Sequence, residues 1–377
     1  MNRDEDDEQL DENRVVETTT RTDQWIWNDP DEANEAWRLG QAVLFAVTMA
    51  GAATAGLSAA IINYRNAPLP IDVRWELHGI AVAVVVGLIT PLSMTACSRK
   101  PLMVAWLLIV ALQILFAITA MLAFQLSDTL LSGPRFDPVL EDGAALVLTV
   151  SPLVVTTALF GLVVRFAIGR SVTPIGTNNR DSLSIGDLIT LTAVVGLSIV
   201  WHRVLFVLSD ASAEPEIVPF LLIAVLITMI VVSTIYGLLS IILRPIHSDN
   251  ALNDHPQSDP FFDDHLIGSI AVASSEVRWM FRDRRSIMIW LVTTTVLMIG
   301  FAVFGSFWIV GSPAPSLPMR VLRSIPSAIA ATVATQIIIF LIGLTLRAIG
   351  WRWVHAVPMV DSQRTIDQTA IAQTSIE

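Results

Sequence analysis

The chain has 377 residues, of which 53% are hydrophobic and 15% are charged, and its mean hydropathy is +0.63. Soluble domains carry about 25% charged residues, so this composition excludes an ordinary soluble fold. Almost all of the net charge of −11 lies in residues 1–37, which hold thirteen acidic side chains against three arginines. The single cysteine, Cys97, excludes an intramolecular disulfide and the cysteine-based zinc and haem motifs.

Residues 1–37 are an acidic segment with too little apolar surface to fold alone, and we expect a disordered cytoplasmic tail. An acidic tail repels nucleic acid, so nucleic acid is not an expected partner. Trp25, Ile26 and Trp27, with Trp37, form an apolar patch that either lies in the membrane interface or docks a partner. No basic region precedes a short apolar run, so we expect no cleaved signal peptide.

Eight apolar stretches are long enough to cross a bilayer, which takes about 20 helical residues. Because lipid offers no hydrogen bonds to the backbone, they predict an all-α polytopic bundle of about eight transmembrane helices. The predicted spans are residues 39–62, 78–97, 102–126, 144–168, 185–208, 217–243, 286–310 and 324–347. The predicted segments are therefore the tail 1–37, helices one to six over 38–244, a cytoplasmic polar loop 245–285, helices seven and eight over 286–348, and a C-terminal tail 349–377.

Arginine asymmetry predicts the orientation. If both termini and the loops after spans two, four and six share one side, that side holds 17 of the 23 basic residues. Cytoplasmic segments are enriched in Lys and Arg, so both termini are predicted to be cytoplasmic. The six basic residues assigned to the opposite side are Arg65, Arg74, Arg135, Arg203, Arg320 and Arg323.

Helix packing is indicated by small residues and prolines. Span one has a small-residue face, and span eight repeats it, which predicts close helix contacts more than a homodimer. The residues of these faces are Ala46, Ala50, Gly51, Thr54, Ala55 and Ser58, and Ala328, Ala331, Thr332 and Thr335. Pro91 and Pro152 lie inside spans two and four and are expected to kink them. Tryptophans near the span ends, Trp351 and Trp353 among them, are expected to anchor at the membrane surface.

The segment S-I-G-D-L-I-T-L-T-A-V-V-G-L, which begins at Ser184, opens the fifth span. It resembles a recurrent opening of transmembrane helices in uncharacterised multi-span inner-membrane proteins of planctomycete-type bacteria. The resemblance covers one helix and departs from that pattern at Gly186 and Thr190. It implies a bacterial inner-membrane setting, and it implies no activity, cofactor or functional residue.

The fifth span is the most polar of the eight and contains Asp187, His202 and Arg203. Ionisable groups inside a bilayer are costly, so these residues are the candidates for a polar pathway. Asp187 is a candidate partner of Arg165 or Arg170. The alternative interpretation is that Asp187 lies in a first helical turn and that Arg203 extends to the headgroups.

Two other groups of polar residues are candidates. Glu76 and His78 are expected either to join an outer vestibule with His202 or only to mark the interface. The loop after span six holds imidazoles and carboxylates that suit a divalent metal, although an acidic linker explains them as well. These loop residues are His247, His255, His265, Asp249, Asp254, Asp259, Asp263 and Asp264. Residues 266–285 predict either a surface amphipathic helix or an extension of span seven.

The sequence contains no H-E-x-x-H, no G-x-x-x-x-G-K-[ST] and no G-x-G-x-x-G after a strand. We therefore expect a non-enzymatic inner-membrane protein without a cofactor or metal, acting as a structural or assembly subunit. Its expected partners are the lipid bilayer and other subunits in a homo- or hetero-oligomer. The alternative hypothesis is a solute or ion transporter with a polar pathway along helix five.

Overall fold

A computed structural model describes residues 30–65, 74–98, 100–133, 139–166, 168, 170–174, 192, 217–244, 284–307 and 316–355. Five helices in this part are long and apolar enough to cross a membrane by length and composition, and they match predicted spans one, two, three, seven and eight. Spans four and six also coincide with helices. Apart from Thr192, span five with its resemblance segment lies outside the described residues, as do the loop 245–283 and the distal tails.

The elements follow one another in chain order. The first half contains α1 (Pro30–Arg65), α2 (Arg74–Val84), a π-helical turn π1 (Val85–Ile89), α3 (Thr90–Ala96), α4 (Leu102–Ser132), α5 (Val139–Phe166) and β1 (Arg170–Pro174). The second half contains α6 (Ile217–Ile242), α7 (Arg284–Phe307), α8 (Leu317–Ala348) and β2 (Trp351–His355). The all-α expectation therefore holds for the membrane body, to which the structure adds one small sheet.

The second span lies at the centre of the bundle. Within its apolar window 72% of the residues are buried, against 22% for α7, which exposes most of its surface. Some buried side chains of this span belong to a hydrophobic core with α6, α8 and β2. Its other buried side chains belong to a second core with α1, α4 and α5. It joins the two cores together with α1 and α5, which also contribute buried residues to both.

Pro91 interrupts the second span in the way a proline requires. It has no N–H to donate, and its ring would clash with the carbonyl four residues earlier, at Gly87. The turn before it widens into π1, where both the N–H and the hydroxyl of Thr90 bond to the carbonyl of Val85. The expected irregularity at Pro91 is thus a π-helical turn. At Pro152, α5 continues as a helix.

The small residues of α1 make contacts without intervening side chains. A Cβ on Gly51 would lie 2.5 Å from the Cα of Gly87, so α1 and π1 touch backbone to backbone. A Cβ on Gly56 would overlap the carbonyl of Ala120 in α4. Of the predicted face of α1, Gly51 and Ala55 are buried, whereas Ala46, Ala50 and Thr54 are exposed. The predicted face of α8 is buried throughout.

Candidate functional site: a buried cap at one end of the bundle

Five segments that are far apart in sequence meet at one end of the bundle. β1 and β2 pair antiparallel, with Val172 opposite Trp353. The N–H of Val172 donates to the carbonyl of Cys97 at 3.0 Å, and the N–H of Trp353 donates to the carbonyl of Leu243 at 2.8 Å. The indole N–H of Trp351 donates to the carbonyl of Ala36 in α1 at 3.0 Å.

We call this layer the cap and define it as residues 36–37, 97–98, 100–101, 170–174, 243–244 and 351–355. Its strands provide backbone donors for carbonyls at helix ends, which have no partner within their own helix. The start of α1 and the ends of α3, α5, α6 and α8 are thereby joined. The cap is the main feature that the sequence did not predict. Its one signal is the alternation in W-R-W, in which Trp351 and Trp353 are buried and Arg352 is partly exposed.

Trp351 and Trp353 differ from the expectation that they anchor at the membrane surface. Trp351 is fully buried, and Trp353 is buried within the same core. The ring of Trp351 stacks on Trp37 with a centroid distance of 5.0 Å. Gly40 lies directly against the indole of Trp351, where a Cβ would overlap the ring. These rings are packed because β2 folds back under the ends of the helices.

Three arginines bond to backbone carbonyls at the cap, and two of them, Arg347 and Arg165, join segments that are far apart in sequence. Arg347 of α8, which is 1% exposed, donates from Nη1 to the carbonyls of Ile242 at 2.7 Å and Arg244 at 2.9 Å. Arg165, at the end of α5, donates from Nη1 to the carbonyl of Lys100 at 2.8 Å. Each guanidinium therefore holds the end of one helix against another segment. Arg165 is a predicted candidate partner of Asp187, which lies outside the described residues, so that pairing stays a prediction.

A small polar cluster lies beneath the cap. The hydroxyl of Tyr236 donates to the carbonyl of Ser93 at 2.9 Å and accepts from the thiol of Cys97 at 3.0 Å. Phe160 stacks on the Tyr236 ring, and Trp353 meets that ring edge-on. A reactive thiol needs solvent access and a cationic neighbour that favours the thiolate. Cys97 is fully buried and bonded to neutral oxygens, so this cluster stabilises the fold.

His78 lies at the opposite end of the bundle, near the start of α2. Its Nε2 is 2.9 Å from the carbonyl of Phe301, and the side chain is 2% exposed. Phe304 meets the imidazole edge-on, and Gly305 leaves the space that the ring fills. Its neighbour Glu76 is half-buried. His78 thus packs against the backbone of α7, and His202, its suggested companion in a vestibule, lies outside the described residues.

The other predicted site residues are also outside the described part. They are Asp187 and Arg203 of span five and all the histidines and aspartates of the loop 247–265. Arg170, the second candidate partner of Asp187, lies in β1 opposite His355. Within the described ranges no group of three or more His, Cys, Asp or Glu side chains could hold a metal ion. The pathway and the loop site remain predictions from the sequence.

The five long apolar helices define the class of this chain as a helical membrane protein. Comparison with protein-family models, with curated proteins and with solved structures gives no match.

Proposed function

We propose that this chain is a non-enzymatic protein of a bacterial inner membrane that serves as a structural or assembly subunit. It crosses the membrane eight times with both termini in the cytoplasm. The observation that carries the proposal is the close packing of its centre, where Gly51 and Gly87 bring two helices into backbone contact. Helices in lipid associate through such contacts, and a bundle packed this way is suited to a fixed shape.

Polar groups along the described helices support the same interpretation. Most of their hydroxyls donate to carbonyls of their own helix, as Thr48 does to Leu44 and Thr332 to Ala328. Such bonds satisfy a hydroxyl in lipid without creating a polar path. The crevice between α6, α7 and α8 is lined by Leu238, Ile241, Ile242, Trp290, Gln336, Ile339 and Phe340. Its one amide, on Gln336, donates to the hydroxyl of Thr294.

The positions of the two described segments that flank span five support eight crossings. β1 ends at Pro174 in the cap, and α6 reaches the same cap at Ile242. Because α6 has 26 residues, its start at Ile217 lies about 39 Å away, towards the opposite end of the bundle. The chain between Pro174 and Ile217 therefore has to pass from one end to the other. A transmembrane helix over residues 185–208 would make that passage.

A transporter is the second candidate. Interrupted helices line the substrate sites of many transporters, and π1 beside Pro91 interrupts the central span. In this interpretation Asp187, His202 and Arg203 would line a pathway along helix five. All five residues of π1 are buried against neighbouring helices, which favours the structural role.

The two functions predict different results when span five loses its charges. We expect Asp187→Asn and Arg203→Gln, made separately, to leave growth and solute uptake of the host unchanged. The chain should also stay in a particle of fixed stoichiometry, larger than the 41.1 kDa protomer with its detergent, when extracted gently and weighed by mass photometry. A Gly51→Leu variant should break up that particle and serves as the positive control.

Loss of uptake in either variant, with the particle intact, would assign the chain to the transporters. A wild-type chain that is extracted only as a monomer would contradict the assembly role.

A further inference from the structure

Lys100 is the only lysine of the chain and lies in the turn between α3 and α4. The guanidinium of Arg165 donates to the backbone carbonyl of Lys100. The ammonium of Lys100 lies 4.8 Å from the ring centroid of Trp37. Trp37 is itself fixed by its stack on the buried Trp351. The cation is therefore presented by a rigid aromatic platform at the cap end of the bundle.

Lys100 is a cation that has lost part of its water. Burial lowers the pKa of its ammonium, because a desolvated charge is less stable than a hydrated one. Within the described part of the chain, no carboxylate lies at ion-pair distance from it. An anion placed beside the ammonium would restore the lost stabilisation and raise the pKa again.

Other groups around Trp37 also suit a phosphate. Arg38, the next residue of α1, is exposed. Gln41 follows Trp37 by one helical turn, which puts it on the same side of α1. It is 7% exposed, and within the described part of the chain neither its amide oxygen nor its amide nitrogen has a hydrogen-bond partner. A buried amide without partners is costly, so a hydrogen-bonding group bound beside Gln41 would be stabilised.

The surface below Lys100 is apolar and suits acyl chains. α4 begins one residue after Pro101 and presents large apolar side chains outward along its length. They recur at spacings of three and four and include Met103, Leu107, Val110, Ile114, Ile118, Leu122 and Leu126. A headgroup at Lys100 and acyl chains along α4 would thus be continuous.

We propose that Lys100, over the ring of Trp37 and with Arg38 next to Trp37 in α1, binds the phosphate headgroup of an anionic phospholipid at the cap end of α1 and α4. Basic pockets between transmembrane helices on the cytoplasmic side take such headgroups, and the cytoplasmic leaflet supplies them. The site adds a specific lipid contact to whatever role the bundle has.

The unique lysine allows a direct test by amine acylation. The full chain is reconstituted into vesicles of phosphatidylglycerol and phosphatidylcholine, or of phosphatidylcholine alone, and acetylation of Lys100 is measured by peptide mass spectrometry. We expect acetylation to be about five-fold slower with phosphatidylglycerol, the effect of one favourable charge contact near the surface. The matched control is Arg284→Lys, which places a second amine at the exposed start of α7, near the cap end.

Both amines experience the surface potential of the vesicle. The site is therefore supported only if phosphatidylglycerol slows acetylation more at position 100 than at position 284. Native mass spectrometry of purified variants gives a second readout. Lys100→Gln should lose retained phosphatidylglycerol, and Lys100→Arg should keep it. Retention by the wild-type protein should also decline as pH rises through the Lys100 pKa, because the anion binds the protonated amine, whereas the arginine variant should be insensitive.

Three results would overturn the proposal. Equal protection at positions 100 and 284 would show a general surface effect. Protection by inorganic phosphate in phosphatidylcholine vesicles, at the same concentration of charge, would assign the site to a free anion. If lipid slows the acetylation of Lys100 only after residues 1–22 are deleted, the chain's own acidic segment is what binds Lys100 in the full protein.

Discussion

Gly87→Leu is expected to unfold the bundle or to reduce its stability by about 3 kcal/mol or more, the upper range for overpacking. The new side chain would meet the backbone of Gly51, whose Cα lies 2.6 Å from the position of a Cβ on Gly87. Backbone atoms cannot rotate away, so α1 and π1 would have to separate. The measurement is thermal unfolding in detergent, followed by size-exclusion chromatography.

Gly300→Leu is the matched control for this substitution. It adds the same side chain to a glycine of α7 that is exposed and that has no heavy atom of the described residues within 4 Å of its Cβ position. Leucine there would face lipid, so the melting temperature should stay close to that of the wild type. Equal losses in the two variants would show a general effect of adding a leucine to a membrane helix, since leucine is the better helix former, and the backbone contact would then not be the cause.

Arg347→Met is expected to cost about 3 kcal/mol, because each hydrogen bond from a charged donor contributes about 1.5–3 kcal/mol. The substitution keeps much of the apolar stem and leaves the carbonyls of Ile242 and Arg244 without their guanidinium donor. The loss of stability should be confined to the cap. Hydrogen exchange followed by mass spectrometry should show faster exchange at residues 241–244 and 351–355, with little change in α4.

The controls for Arg347 separate its charge from its contacts. Arg347→Lys should recover part of the stability, since an ammonium donates to carbonyls but cannot match the planar fork of arginine. Arg284→Met removes an arginine that is exposed at the start of α7 and should change little. Unchanged exchange in the cap of Arg347→Met would mean that the strands hold the helix ends without the guanidinium.

The membrane helices could be predicted from the sequence because bilayer thickness sets their length and composition. Predicted spans one, two, three, seven and eight correspond to described helices that are long and apolar enough to cross. The small residue Gly51 was recognised as a contact point, since only small side chains let helices approach closely in lipid. Its partner Gly87 was not predicted, because hydropathy carries no information about which helices are neighbours.

The cap could not be predicted for a related reason. Val172 and Trp353 pair across 181 positions of sequence, and a strand of five residues is too short for its alternation to stand out. Tryptophans at the end of a span usually lie at the headgroup level, so Trp351 and Trp353 were expected there. Their burial follows from the turn at Gly350, whose φ of 97° lets the chain reverse under the bundle. The same tertiary contacts decide that Arg165 bonds to Lys100.

We propose that the chain crosses the membrane an even number of times, with both tails on the side of the cap. The most direct test of this proposal is cysteine accessibility, which is simple here because Cys97 is fully buried and should not react. Single cysteines are introduced as Thr19→Cys, Ser362→Cys and Ser316→Cys, the last at the exposed start of α8. Intact cells are then treated with a membrane-impermeant maleimide. We expect labelling at position 316 in intact cells and at positions 19 and 362 only after permeabilisation. Labelling of either tail position in intact cells together with position 316 would contradict the proposal.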